Sequence, residues 1–292
     1  MNILTIDLED WFHILDNYET ANPNAWNEFE PRVEKTTIRL LDLLDFHKVK
    51  ATFFILGWIA QNYPELVQEV ANRGHEIACH SHNHQLVYTQ SPGEFERDLV
   101  IATETIEQVS GIRPFAYRAP GFSVTAKTPW VFDILARNGY KIDCSIFPAS
   151  RAHGGLPKFP ARGPCEIILE HSASIIALPI SFYDAKLFKF VFSGGGYFRI
   201  LPRFMFPHLF NSSDYIMTYF HPRDFDPDQP MVPGLSMKRK FKSYIGLKSA
   251  ENKLSLLLRK NSFLTVGQAS LELKACLHQP PRVKIAALYE KP

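Results

Sequence analysis

VKATFFILGWIAQNYPELVQEVANRGHEIACHSHNH, residues 49–84, sets two apolar runs either side of a helix signal. Residues 49–56 are apolar and β-branched or aromatic, as a buried strand requires, and residues 75–79 repeat that character over a shorter span. Between them Asn62, Pro64 and Glu65 have the composition of a helix start, and Gly74 that of its C-terminal stop. A strand, a helix and a second strand in that order predict a βαβ unit with parallel strands.

The same alternation continues on both sides. Residues 2–6 form a short apolar strand, and residues 36–46 carry apolar side chains at helical spacing. Ser91, Pro92 and Glu94 form a capping-box pattern, followed by Phe95, Leu99, Ala102, Ile106 and Val109 on one face and by Gly111 as the stop. Residues 115–118 are the next strand. Thr128 and Pro129 open another helix that Gly139 closes, and residues 140–144 are again extended. Repetition of this kind predicts an α/β fold with a mainly parallel sheet, either a barrel or a doubly wound sheet. In both, functional residues gather at the C-terminal ends of the strands. Past Pro227 the pattern weakens. Residues 237–260 are basic and amphipathic and predict helices packed on the outside, and the chain from about His278 reads as a loosely held tail.

Composition is that of a soluble globular protein, 46% hydrophobic and 21% charged over 292 residues. A net charge of +2 does not point to nucleic acid, and no apolar run is long enough to cross a bilayer. Cys79, Cys144, Cys165 and Cys276 are dispersed without CxxC spacing, which fits reduced thiols. The first residues lack the features of a signal peptide, so the expectation is a cytoplasmic protein.

Four polar clusters sit at predicted strand ends. Asp7, Glu9 and Asp10 follow the first strand, where three acids are costly unless they bind a cation, move protons or cap a helix. On an extended strand Asp7 and Glu9 share a side. His80 and His84 follow the strand at 75–79. If that segment turns helical they face the same way and chelate one metal, with the acids completing a carboxylate–His–His set. Arg118, after the strand at 115–118, is placed to hold a nearby carboxylate ionised. His221 ends a strand at 215–219.

Taken together these clusters resemble the polysaccharide deacetylase family, the NodB-homology group or carbohydrate esterase family 4, over roughly residues 2–226. The stretch Gly74–His84 is similar to the family's GHEIxxHxxxH metal motif, Arg118-Ala119-Pro120 to its RxP motif, and Phe220-His221 to its final histidine motif. The resemblance implies a distorted (β/α) barrel of about seven strands over 1–226, with residues 227–292 as a helical extension of the same unit. The acid motif departs from the usual two adjacent Asp residues. It is spelled as in a cytoplasmic branch with peptidoglycan-deacetylase-like and allantoinase-like members. That match makes Asp7 the base and leaves the metal acid open between Glu9 and Asp10. Ser193 to Arg199, with Gly194, Gly195, Gly196 and Tyr197, resembles a subgroup associated with surface-glycan synthesis, in which these glycines and Pro120 would lie against substrate. Where that subgroup usually has Trp after His-Pro, this chain has Arg223.

The activity implied is metal-dependent hydrolysis of the N-acetyl group of an amino sugar in a polysaccharide pathway. The cofactor would be a divalent ion, zinc first, and the partner an N-acetylated sugar or glycan precursor. Arg118 would orient Asp7, and His221 would protonate the leaving amine. An imide or ureide hydrolase of allantoinase type and a non-catalytic glycan-binding protein are the alternatives. The basic stretch 237–260 also allows peripheral contact with an anionic membrane surface or an acidic glycan, or is simply a solvated helical face. Oligomeric state is not legible.

Overall fold

The computed structural model describes residues 1–150, 153–169, 173–184, 189–275 and 280–288. In chain order the first half holds β1 (Asn2–Ile3), β2 (Thr5–Leu8), α1 (Val33–Phe46), β3 (Thr52–Ile55), α2 (Gly57–Asn62), α3 (Pro64–Asn72), β4 (Glu76–Cys79), α4 (Pro92–Ser110), β5 (Ala116–Tyr117), α5 (Trp130–Arg137) and β6 (Ile142–Asp143). The second half adds β7 (Cys165–Ile168), β8 (Ser174–Ala177), β9 (Tyr183–Asp184), β10 (Lys189–Phe190), α6 (Gly195–Ile200), α7 (Phe206–Phe210), β11 (Ile216–Met217), α8 (Met237–Tyr244), α9 (Leu247–Lys260), α10 (Val266–Ala275) and β12 (Arg282–Lys284). Among the described residues no helix is long and apolar enough to cross a membrane.

The expected α/β alternation is present. One sheet runs β12-β7-β8-β6-β5-β4-β3-β2, parallel throughout except where β7 meets β8. On the far edge of β2 the chain curls on: β1 pairs with β11, and Ile6 bridges to Phe220. Strand alternation divides the apolar residues into two sets. Phe54, Ala78, Ala116 and Ile142 cluster with Ile3 and Met217 from the opposite wall, which is the interior of a distorted barrel. Phe53, Ile55, Ile77, Cys79 and Tyr117 face outward into a larger core with Leu40, Leu66, Leu99 and Leu135 of the helices.

Local signals explain most element ends. Ser91 and Glu94 form the capping box, and Gly111 closes α4 in the left-handed region at φ 70°. The helix α2, which the sequence reading passes over, packs so closely on α4 that a Cβ at Gly57 would lie 2.9 Å from the Ala102 Cα. The tail differs from expectation. Cys276 and His278 lie outside the described residues, but β12 adds a parallel strand beside β7 and buries Val283, Ile285 and Leu288. Cys79, Cys144 and Cys165 are buried free thiols.

Candidate active site

β2 delivers Asp7 to the mouth of the barrel, and Glu9 follows just past its end. β4 delivers His80, and the chain then turns through His82 and Asn83 to His84. This segment is not the helix that would align an i, i+4 pair. Ser81 and His84 both have positive φ (69° and 52°), and the Ser81 hydroxyl accepts the His84 N–H. The loop is held from outside. The Asp98 carboxylate on α4 accepts the N–H groups of His82 and Asn83 (2.8 and 3.0 Å), and α2 opens by donating from Gly57 and Trp58 to the carbonyls of Ser81 and His82.

The result still brings both imidazoles to one oxygen. His80 Nε2 and His84 Nε2 each lie 2.9 Å from Glu9 Oε1, and all three residues are buried. His80 Nδ1 donates to the Arg118 carbonyl at 2.7 Å, which leaves the lone pair of the neutral ring on Nε2, facing the Glu9 carboxylate. Two acceptors at 2.9 Å repel each other unless a proton or a cation lies between them. Burial pushes the Glu9 carboxyl up, but the imidazoles of His84, His221 and His80 outweigh it and hold Glu9 well below the ordinary carboxylate range. These three donors fit a divalent cation with open positions for water and substrate.

Asp10 is placed elsewhere. Its Oδ1 accepts from the Trp11 N–H (2.7 Å), and its Oδ2 accepts from the N–H groups of Arg32 and Val33 at the start of α1 (2.8 and 2.9 Å). It closes a helix N-terminus rather than joining the histidines. Burial raises its carboxyl and those three N–H groups oppose the rise.

Arg118 lies beneath the acids with no solvent exposure. Its Nη1 donates to Asp7 Oδ1 at 2.5 Å and to Thr5 Oγ1 at 2.7 Å, and its guanidinium sits 4.0 Å from the Phe54 ring centroid. Asp7 is thereby fixed in one orientation. Across the cavity, His221 Nε2 stands 3.9 Å from Asp7 Oδ2 and 4.0 Å from Glu9 Oε1. Its Nδ1 contacts Asp224 Oδ2 at 3.1 Å, and the same oxygen accepts the His221 backbone N–H at 3.0 Å. Burial lowers the His221 pKa, but Glu9, Asp224 and Asp7 override it and lift the ring to about 9. Asp224 in turn is ion-paired with Arg199 Nε at 3.1 Å. Burial raises its carboxyl, and His221 and Arg199 outweigh that and lower it.

A cavity of about 320 Å³ opens over these groups. Asp7, Glu9, His80, His84 and His221 line it, as do Gly195, Gly196 and Tyr197. Pro120 and Gly194 do not. Pro120 is buried, and its neighbours Gly121 and Phe122 reach the cavity instead. Gly194 bridges to Tyr219 so tightly that a Cβ there would lie 2.3 Å from the Tyr219 carbonyl oxygen, so its role is close packing. Sequence reasoning missed Asp224, although it stands three residues beyond His221. It also missed Asp98, His13 and the wall formed by Arg199, Arg239, Lys242 and Ser243.

Residues 19–142 match the sequence model of the polysaccharide deacetylase family, and residues 144–270 match a domain of unknown function, DUF3473. A peptidoglycan-N-acetylglucosamine deacetylase of Bacillus cereus is 34% identical over 117 residues, 37% of this chain and 42% of that protein. A chitooligosaccharide deacetylase of a Bradyrhizobium species is 33% identical over 142 residues, 45% of this chain and 62% of that protein. The chain thus spans less than two thirds of either relative. Two solved structures share the fold. One, from Mycobacterium smegmatis and described as a polysaccharide deacetylase, superposes with a TM-score of 0.65 at 21% identity over 100% of this chain and 93% of that one. The Puue allantoinase superposes at 0.60 with 12% identity over 94% and 90%.

Proposed function

We propose, from the match of residues 19–142 to the polysaccharide deacetylase model, that the chain removes the N-acetyl group of an amino sugar by metal-assisted hydrolysis. The observation that carries this reading is the convergence of two imidazoles on one buried carboxylate oxygen, beside an Arg-held Asp and a carboxylate-held His. Relatives named for peptidoglycan N-acetylglucosamine and chitooligosaccharide deacetylation support the substrate class. Two imidazoles and a carboxylate suit zinc.

Glu9, His80 and His84 would hold the ion, which when bound would supply Lewis-acid polarisation of the amide carbonyl. Asp7 takes the proton of the attacking water. Arg118 holds Asp7 in one orientation, so that no reorganisation is needed when the proton moves. His221, protonated at neutral pH, gives a proton to the departing nitrogen, since an amide nitrogen leaves poorly as an anion. Asp224 holds Nδ1 of His221 and so leaves Nε2 facing the reaction centre. Acetate and a free amino sugar are the products.

Asp7→Asn separates this reading from simple metal binding. The variant is expected to retain bound zinc while acetate release from N-acetylated oligosaccharides falls on the order of 10³-fold. Acetate release near the wild-type rate would remove Asp7 from the mechanism.

A further inference from the structure

Three arginines line the cavity, and they differ in what their N–H groups meet. Arg199 donates through Nη1 and Nη2 to the carbonyls of Lys242, Ser243 and Ile245 and pairs through Nε with Asp224. Arg239 donates to the carbonyls of Leu15 and Asp16 (2.5 and 2.6 Å). Arg223 uses Nη1 on the Trp11 carbonyl at 3.0 Å. Among the described residues its Nε and Nη2 reach no acceptor, and no carboxylate lies within ion-pair distance of it.

That open edge has a known use elsewhere in the molecule. Arg32 grips Asp226 with the same two atoms, Nε to Oδ2 at 2.7 Å and Nη2 to Oδ1 at 2.8 Å. The Nε–Nη2 edge matches two oxygens of a carboxylate or phosphate. A guanidinium that is half-buried in a cleft loses hydration; Asp224 and Glu9 offset part of that loss from a distance, but no carboxylate meets the Nε–Nη2 edge directly. Lys242, at the rim of the same cavity, likewise has no acceptor for its ammonium among the described residues. Both cations come from beyond the segment that matches the deacetylase model.

We infer that the Nε–Nη2 edge of Arg223 receives an oxyanion, a carboxylate or a phosphate, carried by the sugar that enters the cavity. The inference rests on the deacetylase reading of this site and adds to it: the preferred substrate is an anionic N-acetylated sugar rather than a neutral glucosaminide. Lys242 supplies a second positive charge at the rim, without the two-pronged geometry.

Binding tests this separately from turnover. Calorimetric titrations of the full chain would use N-acetylglucosamine 1-phosphate, N-acetylmuramic acid and the neutral di-N-acetylchitobiose. One of the charged sugars is expected to bind roughly tenfold or more tightly than the neutral one, as a charge-assisted pair gives. The phosphate and carboxylate arms identify which oxyanion is taken. Arg223→Gln should bring the ratio close to one, and Arg223→Lys should keep part of it; if the Gln variant does not fold, the Lys variant still reports a reduced ratio. Equal binding of charged and neutral sugars, or a preference that survives Arg223→Gln, overturns the inference. Acetate release by the wild type is read in parallel. A charge preference without acetate from any of the three supports the anion seat and counts against the deacetylase reading.

Discussion

The two halves of the molecule build one cavity by different means. Residues up to about 143 form its floor, where Asp7 from β2, His80 after β4 and Arg118 after β5 are placed by parallel strands, and Glu9 and His84 stand on the loops beyond. Their positions follow from strand register, and Arg118 spans the barrel from β5 to Asp7 without any exposure. The second half supplies the wall. His221 follows a short strand, but its orientation depends on Asp224, Arg199 and then on backbone carbonyls at the C-terminal end of α8. The part of the floor that register sets can be read from local sequence. A wall set by a relay of long-range contacts cannot.

The largest effect that would break this comparison lies in the floor. His80→Ala is expected to lose bound metal and lower acetate release on the order of 10³-fold or more, measured by metal analysis and turnover on the same preparation. Retained metal with full activity would detach the floor from the chemistry.

Next comes stability, where two buried groups, His75 just before β4 and Asp143 in β6, oppose each other. Burial lowers His75 to about 4, so between pH 4 and 6.5 the unfolded chain binds the extra proton and His75 makes stability rise with pH. Burial raises Asp143 to about 7 against the opposing hydrogen bonds from Ser145, so between roughly pH 4 and 7 the folded chain binds the extra proton and Asp143 makes stability fall with pH. His75 contributes about 3 kcal/mol across its window and Asp143 about 4. Denaturant titrations from pH 4 to 7 should show, relative to the wild type, Asp143→Asn adding a rise with pH and His75→Gln adding a fall. Parallel profiles for the three proteins would refute the burial argument.

A smaller effect tests the wall. Asp224→Asn should keep the metal and lower kcat by roughly 10- to 100-fold, with KM changed much less, because the imidazole loses its orienting carboxylate. An unchanged kcat would reduce the relay to packing. The smallest effect concerns Asp10. Asp10→Asn or Asp10→Ala should cost about 1 kcal/mol of stability through the lost cap on α1 while metal content stays at the wild-type value. Loss of metal there would transfer the ligand role from Glu9 to Asp10.

These contrasts explain what the sequence revealed. Apolar runs, the Ser91 capping box and Gly111 mark the strand–helix alternation because each acts within a few residues. The clusters at strand ends were legible for the same reason. The choice between Glu9 and Asp10 was not, because β2 ends at Leu8 and strand alternation no longer fixes side-chain direction beyond it. The His80–His84 loop takes its shape from Asp98 and from the start of α2, neither of which is implied by an HxxxH pattern. β12 was hidden because three residues, with charged side chains flanking Val283, become a strand only by pairing with β7 more than a hundred residues earlier.

The most direct test of the central claim is metal content and acetate release measured together on the untreated chain, the chelated chain and the chain reloaded with zinc, using charged and neutral N-acetylated sugars. The account predicts one ion per chain, acetate release that disappears on chelation and returns with zinc, and a faster rate on a charged sugar. Acetate release unaffected by complete removal of metal would contradict it.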